Sequence, residues 1–274
     1  QGNFAIHCTS VADRFGVNVD NIRVEEFGSI YAPKGVTDFV VTADQTGLQK
    51  ATMSFVVPKE NYQGEPLSSV SKIEILRNGK LIKTFENPVL GVTLTYEDEH
   101  SDFGFNTYGI VAYSGENAGV KVEQTVFCGI YSLPYIVAPT QQEFSLFTIK
   151  DNNNDDNTWY YDISDGSLKY AYCSNSADDY VITPAIELGT AHMIEVVFDA
   201  KAGVMGSEKL EVTYGKSDKP EDQQKAQTFD LTNKEYQTFT ATFEVTEHGR
   251  YYVGFHAISD PDQFTLNIKK YRGA

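Results

Sequence analysis

Six consecutive residues, Asp151-Asn152-Asn153-Asn154-Asp155-Asp156, crowd carboxylate and amide oxygens into one short stretch. Ca²⁺ prefers hard oxygen donors of this kind, so Asp151, Asn153 and Asp155, at alternate positions, are the candidate ligands of one calcium ion that would tie the loop down. A solvated loop closed by Asx-turns accounts for the same residues. An EF-hand is excluded, because no Gly sits at the sharp turn and no Glu closes a 12-residue loop. Trp159, Tyr160 and Tyr161 follow directly, and Tyr170 and Tyr172 occupy alternate positions of the next strand. Aromatic rings stack on the C–H faces of sugars, which makes these five residues a candidate glycan platform. The competing account assigns Trp159 and one face of tyrosines to the core.

Other chemistry is sparse. His256 and Asp260 lie near the last two strands and read as core or capping groups, and Asp178-Asp179 reads as a turn cap rather than a general acid and base. No GxSxG elbow, HExxH, Walker loop or dinucleotide fingerprint occurs. Paired carboxylates for glycosidase chemistry exist in any acidic chain, so their presence decides nothing. Cys8, Cys128 and Cys173 are odd in number and include no CxxC, which suggests buried thiols and neither a disulfide framework nor a zinc site.

The elements that must position these residues are strands. Among 274 residues, 17 Tyr and 17 Phe favour sheet over helix, and the length allows about two domains. The formal charge of -16, from 22 basic and 38 acidic residues, argues against nucleic acid and anionic membranes as partners. No apolar run approaches the roughly 18 residues of a membrane span and no leader opens the chain, so the sequence is expected to start inside a longer product.

One ungapped internal match organises the sequence. His7–Arg23 overlays His256–Arg272 with identities at His7/His256, Ser10/Ser259, Asp13/Asp262, Phe15/Phe264, Asn18/Asn267 and Arg23/Arg272. Residues 1–30 are therefore expected to be the last strands of a truncated earlier copy of the C-terminal domain. Residues 31–139 carry seven period-2 runs between Gly, Pro and Asn breaks, among them Ala51–Val57 and Thr107–Tyr113, with Asn78-Gly79 as the clearest hairpin turn. Residues 140–274 carry nine such runs, including Phe144–Ile149, Tyr180–Leu188 and Phe264–Lys269, and no sustained helical period. That density points to a two-sheet jelly roll.

The middle segment resembles a fibronectin type III domain: "ATMSFVVP" is similar to its second strand, with Phe55 where Trp usually stands, and "TYGIVAYSGENAG" to its F strand, with Tyr108 as core tyrosine. The C-terminal segment resembles the cleaved-adhesin or choice-of-anchor J family through "FTIKDNNNDDNTWYYD", "SADDYVITPAIEL", "HMIEVVFDAKAG" and "GRYYVGFHAISDPDQFTLNIKKY", in that order. Those are galactose-binding-like jelly rolls of secreted and surface proteins of Bacteroidetes. The Asp-rich loop stands ahead of the family's Trp, but here lacks the glycines usual between the acids. The resemblance implies an extracellular or cell-surface, non-enzymatic adhesion or carbohydrate-binding module on a spacer, with a glycan or a host or cell-surface protein as partner. Neighbouring repeats of the parent chain are expected beside it. The alternatives are a structural stalk with no ligand of its own and an accessory region of a secreted hydrolase or protease.

Overall fold

A computed structural model describes residues 6, 7, 9, 29–137, 140–189 and 192–273. The chain is all-β and divides into two compact units, residues 1–128 and 129–274. The expected truncated repeat at 1–30 lies almost wholly outside the described residues. No described helix is long and apolar enough to cross a membrane.

The first unit contains β1 (Thr37–Ala43), β2 (Ala51–Val56), β3 (Lys72–Arg77), β4 (Lys80–Glu86), β5 (Thr93–Asp98), β6 (Gly104–Ser114), β7 (Asn117–Ala118) and β8 (Val122–Cys128). A three-stranded sheet in the order β1-β2-β5 packs on a second sheet in which β4, β3 and β6 follow one another and β6 also carries β7 and β8. Alternation drives this packing: in β2, Ala51, Met53 and Phe55 are buried while Thr52 is exposed. Phe55 meets Ile73, Ile75, Tyr108 and Ile110 from the facing sheet in one core. The Tyr108 hydroxyl is satisfied by donating to Asp98 Oδ2 at 2.8 Å, and Arg77 donates to the same oxygen at 2.7 Å. Asn78 and Gly79 adopt φ of 50° and 78°, the two positive values that a tight β3–β4 hairpin requires.

The second unit contains β9 (Tyr131–Ser132), β10 (Tyr135–Val137), the four-residue helix α1 (Gln141–Phe144), β11 (Thr148–Asp151), β12 (Tyr160–Asp162), β13 (Ser167–Tyr170), β14 (Asp179–Ile182) and β15 (Ile186–Leu188). It continues with β16 (His192–Ala202), β17 (Glu208–Gly215), β18 (Gln223–Leu231), β19 (Gln237–Val245), β20 (Gly249–Ala257) and β21 (Leu266–Gly273). One sheet runs β12-β13-β21-β16-β19, with β10 also on β21. The other runs β11-β14-β20-β17-β18, with β15 beside β20 and β9 parallel to β15. Between them Val196, Phe198 and Ile268 of the first sheet face Val181, Leu210 and Phe255 of the second; the Phe198 and Phe255 rings are 5.2 Å apart.

Three details differ from the sequence reading. The run expected at Phe144–Ile149 becomes strand only at Thr148, because its first residues end α1 and form the turn after it. Residues 131–137, assigned to the first domain, supply β9 and β10 to the second unit, where Tyr135 is buried against Tyr131 and Tyr271. The single run expected at Tyr180–Leu188 is two strands, because Pro184 lacks the N–H that a continuous ladder needs.

Candidate functional site

Asp151 ends β11 and pairs in register with Asp179 at the start of β14, so two carboxylates meet where the Asp-rich loop leaves the sheet. The loop closes on its own acids. Asp151 accepts the backbone N–H groups of Asp155 and Asp156 at 3.2 and 2.9 Å. Asp155 accepts the N–H of Asn157 and the side chains of Asn153, Asn175 and Cys173. Asn154 and Asp156 take φ of 57° and 66°, so they occupy the left-handed conformation that glycine usually fills; Asn and Asp are the residues that best tolerate it. The absent glycines are thereby explained.

Of the three expected calcium ligands, only Asn153 keeps a buried side-chain oxygen with no partner; its Nδ2 is held by Ser176 O at 2.8 Å. Asp179 Oδ1, Thr158 Oγ1 and the Tyr170 hydroxyl are also buried and unpaired. Burial, reinforced by the neighbouring Asp151 charge, pushes the Asp179 carboxyl up to about 6, with the Tyr170 hydroxyl opposing the shift without forming a well-aligned hydrogen bond. Among the described residues no three His, Cys, Asp or Glu side chains converge as a metal cluster. A cation here would rely on the amide and hydroxyl oxygens beside Asp179, and on Asp151 and Asp155 exchanging loop bonds for metal ones.

The five aromatic residues do not form one platform. Trp159 is 2% exposed and donates its indole N–H to Asp179 O at 3.0 Å, and its ring packs on Tyr170, itself 3% exposed. Both are core residues. Tyr161 leans on Phe144. Only Tyr160 and Tyr172 are open, at 41% and 51%. Tyr172 stands in the loop after β13, bonded to Asp262 at 2.7 Å and beside Phe264, while Tyr160 projects from β12. His256 also acts structurally: its ring stacks on Tyr180 at 3.8 Å, Nε2 meets Asp178 at 2.7 Å and Nδ1 meets Glu211 at 3.3 Å.

A site that the sequence did not reveal lies on the outer face of the β12-β13-β21-β16 sheet. Register aligns Tyr160 with Lys169, Lys169 with Asn267, and Asn267 with Lys201. Lys201 continues the row to Tyr236, with its ammonium 4.4 Å from the ring centroid. At strand spacings of about 4.8 Å the row from Tyr160 to Tyr236 spans roughly 19 Å. Beside it opens a cleft of about 430 Å³ lined by Lys169, Lys201, Lys234, Asp162, Asn267 and Phe264, among others. The β12–β13 turn folds Asp165 over the row, where it accepts from the Tyr236 hydroxyl and from Ser167 Oγ. The Ser164 hydroxyl and the Lys169 ammonium hold the Asp162 carboxyl at about 2. These residues lie up to 107 positions apart; the one signal available in sequence was a polar outward position in each of "SLKY", "FDAKA" and "LNIKKY".

No protein-family model matches the sequence, and no curated protein matches it. Solved structures are similar in fold. One cleaved adhesin domain of Lys-gingipain from Porphyromonas gingivalis aligns at 12% identity over 51% of this chain and 96% of its own length, with a TM-score of 0.43. Another from the same protein aligns at 15% identity over 47% of this chain and 91% of its own, with a TM-score of 0.40. The C-terminal CBM6 of a marine laminarinase from Zobellia galactanivorans aligns at 15% identity over 47% of this chain and 98% of its own, with a TM-score of 0.32.

Proposed function

We propose that the second unit is a non-catalytic carbohydrate-binding or adhesion module of a secreted or cell-surface protein. The observation that carries this reading is the open polar cleft on a rigid sheet. Ammonium, carboxylate, amide and hydroxyl groups converge there beside Phe264 and Tyr160, the mixture of donors, acceptors and apolar faces that a sugar ring demands. Its carboxylates Asp162 and Asp165 are held by Ser164, Lys169 and Ser167, an arrangement that supports a binding role.

The first unit is proposed as a fibronectin type III-like spacer. Its three-stranded sheet packed on the β4-β3-β6 sheet that also carries β7 and β8, and the fully buried Phe55 and Tyr108, support that reading. Calcium is proposed to bind the Asp-rich loop through Asn153 and Asp179 together with Asp151 and Asp155, where it would supply only charge and rigidity.

The test is a glycan array on the full chain, run with calcium and again with chelator. Retention of one sugar class, lost on Phe264→Ala with an unchanged melting temperature, is the expected result. A melting temperature that falls in chelator supports the calcium assignment. No retention under either condition would replace the reading with that of a structural stalk.

A further inference from the structure

We infer that the cleft on the outer face of β13, β21 and β16 selects anionic saccharides, those bearing a uronate carboxylate or a sulfate. This rests on reading the cleft as a glycan site and names the sugar class it takes.

The argument is one of uncommitted hydrogen-bonding capacity. Asp162 Oδ1 accepts the N–H and hydroxyl of Ser164, and its Oδ2 accepts Lys169 at 3.1 Å. Asp165 Oδ2 accepts from Tyr236 and Ser167, and Asn267 approaches it at 3.5 Å. Most local acceptors are therefore engaged, and the remaining Asp165 oxygen, Oδ1, faces the Lys269 ammonium at 3.9 Å. The ammonium groups are not, because each brings three N–H donors. Lys201 stands 3.7 Å from Asp165, beyond a normal hydrogen bond, and rests over the Tyr236 ring. Lys234 spends one donor on Gly206 O at 2.7 Å and makes no ion pair among the described residues. Lys269 spends one on Asp165 O at 2.7 Å.

The Glu208 carboxylate accepts the Ser259 hydroxyl at 2.6 Å and is only 1% exposed, so it offers a sugar no accessible acceptor. What the cleft presents to a ligand is a surplus of cationic donors. A neutral sugar hydroxyl fills such positions weakly, whereas an anionic oxygen accepts charge-assisted bonds from several at once. This concentration of Lys stands out on a chain whose formal charge is -16, a net charge that repels polyanions at long range. At about 430 Å³ the cleft has room for one or two sugar rings, at the low end of the roughly 300–1,000 Å³ usual for small-ligand sites.

Affinity electrophoresis of the full chain through polygalacturonate, chondroitin sulfate, neutral xylan and polyglutamate tests this. The expected result is retardation by an acidic polysaccharide and not by xylan or polyglutamate. Retardation should weaken roughly tenfold in Lys234→Gln, be preserved in Lys234→Arg, and be lost in a Lys201→Gln/Lys234→Gln double variant whose melting temperature is unchanged. Because exposed charge contacts are screened, binding should also fall as salt rises from 50 to 300 mM, conditions in which the Debye length shrinks below about 10 Å. Equal binding to xylan, equal binding to polyglutamate, or acidic binding indifferent to both lysines overturns the inference. Xylan binding alone would leave the glycan reading standing, and no binding to any polysaccharide would remove both.

Discussion

Asp179 links the buried end of the Asp-rich loop to the chemistry of pH. Its carboxyl is pushed up to about 6 by burial, from an ordinary value near 3.8, so the fold prefers it protonated. A raised carboxyl contributes stability that is fully present below its unfolded pKa and is lost as pH climbs through its folded one. Between pH 4 and 7 the loss amounts to on the order of 3 kcal/mol when no cation neutralises the charge. Urea unfolding in chelator at pH 4.5 and 7.5 should therefore reveal a drop in the native chain that Asp179→Asn largely abolishes. Identical pH slopes in the two proteins would refute the assignment. At this scale the sequence was informative about composition and silent about direction. It singled out the Asp-rich run and the aromatic residues, yet whether Trp159 faced a ligand or the core depended on its meeting Tyr170 and the Asp179 carbonyl, which lie 11 and 20 positions on. Asp179, the most perturbed acid of the loop end, looked like an ordinary turn residue because its burial comes from β11 and β20 on either side.

The strands were the most legible elements, because alternation survives in a linear reading. β2, β3, β4 and β19 fall within a residue of the expected runs, and the Asn78-Gly79 turn stands where its residue types require it. Nothing lies within 4 Å of a methyl group added at Gly79, so Gly79→Ala isolates the cost of the backbone conformation. A loss of about 1–2 kcal/mol in the first unit, measured by chemical denaturation, is expected. An unchanged midpoint would mean that the turn relaxes to another type. The elements that escaped notice are short. β9, β10 and β12 have two or three residues each, too few for a period to register, and α1 is a single turn whose start depends on the Thr140 hydroxyl capping Glu143 N–H at 3.1 Å. The lysine row was illegible for a different reason: it exists only through pairing of β13, β21 and β16.

For the whole chain, the position of the division between units has a measurable effect. A fragment of residues 129–274 retains β9 and β10 and the Tyr131–Tyr135–Tyr271 stack, whereas one beginning at residue 140 exposes Tyr271 and leaves residues 271–273 of β21 without a partner on that side. The longer fragment should melt higher by at least several degrees, since burying one large aromatic side chain contributes about 2–3 kcal/mol. Equal melting temperatures would assign residues 131–137 no structural role. The place of β21 also sets an order of events. It comes after every other strand of its unit along the chain, yet it lies in the interior of its sheet, bonded to β10 and β13 on one side and β16 on the other. A polypeptide emerging N-terminus first from a ribosome or an export channel cannot close this sandwich until those last residues are free. The unit thus stays open until nearly the whole of its length has emerged.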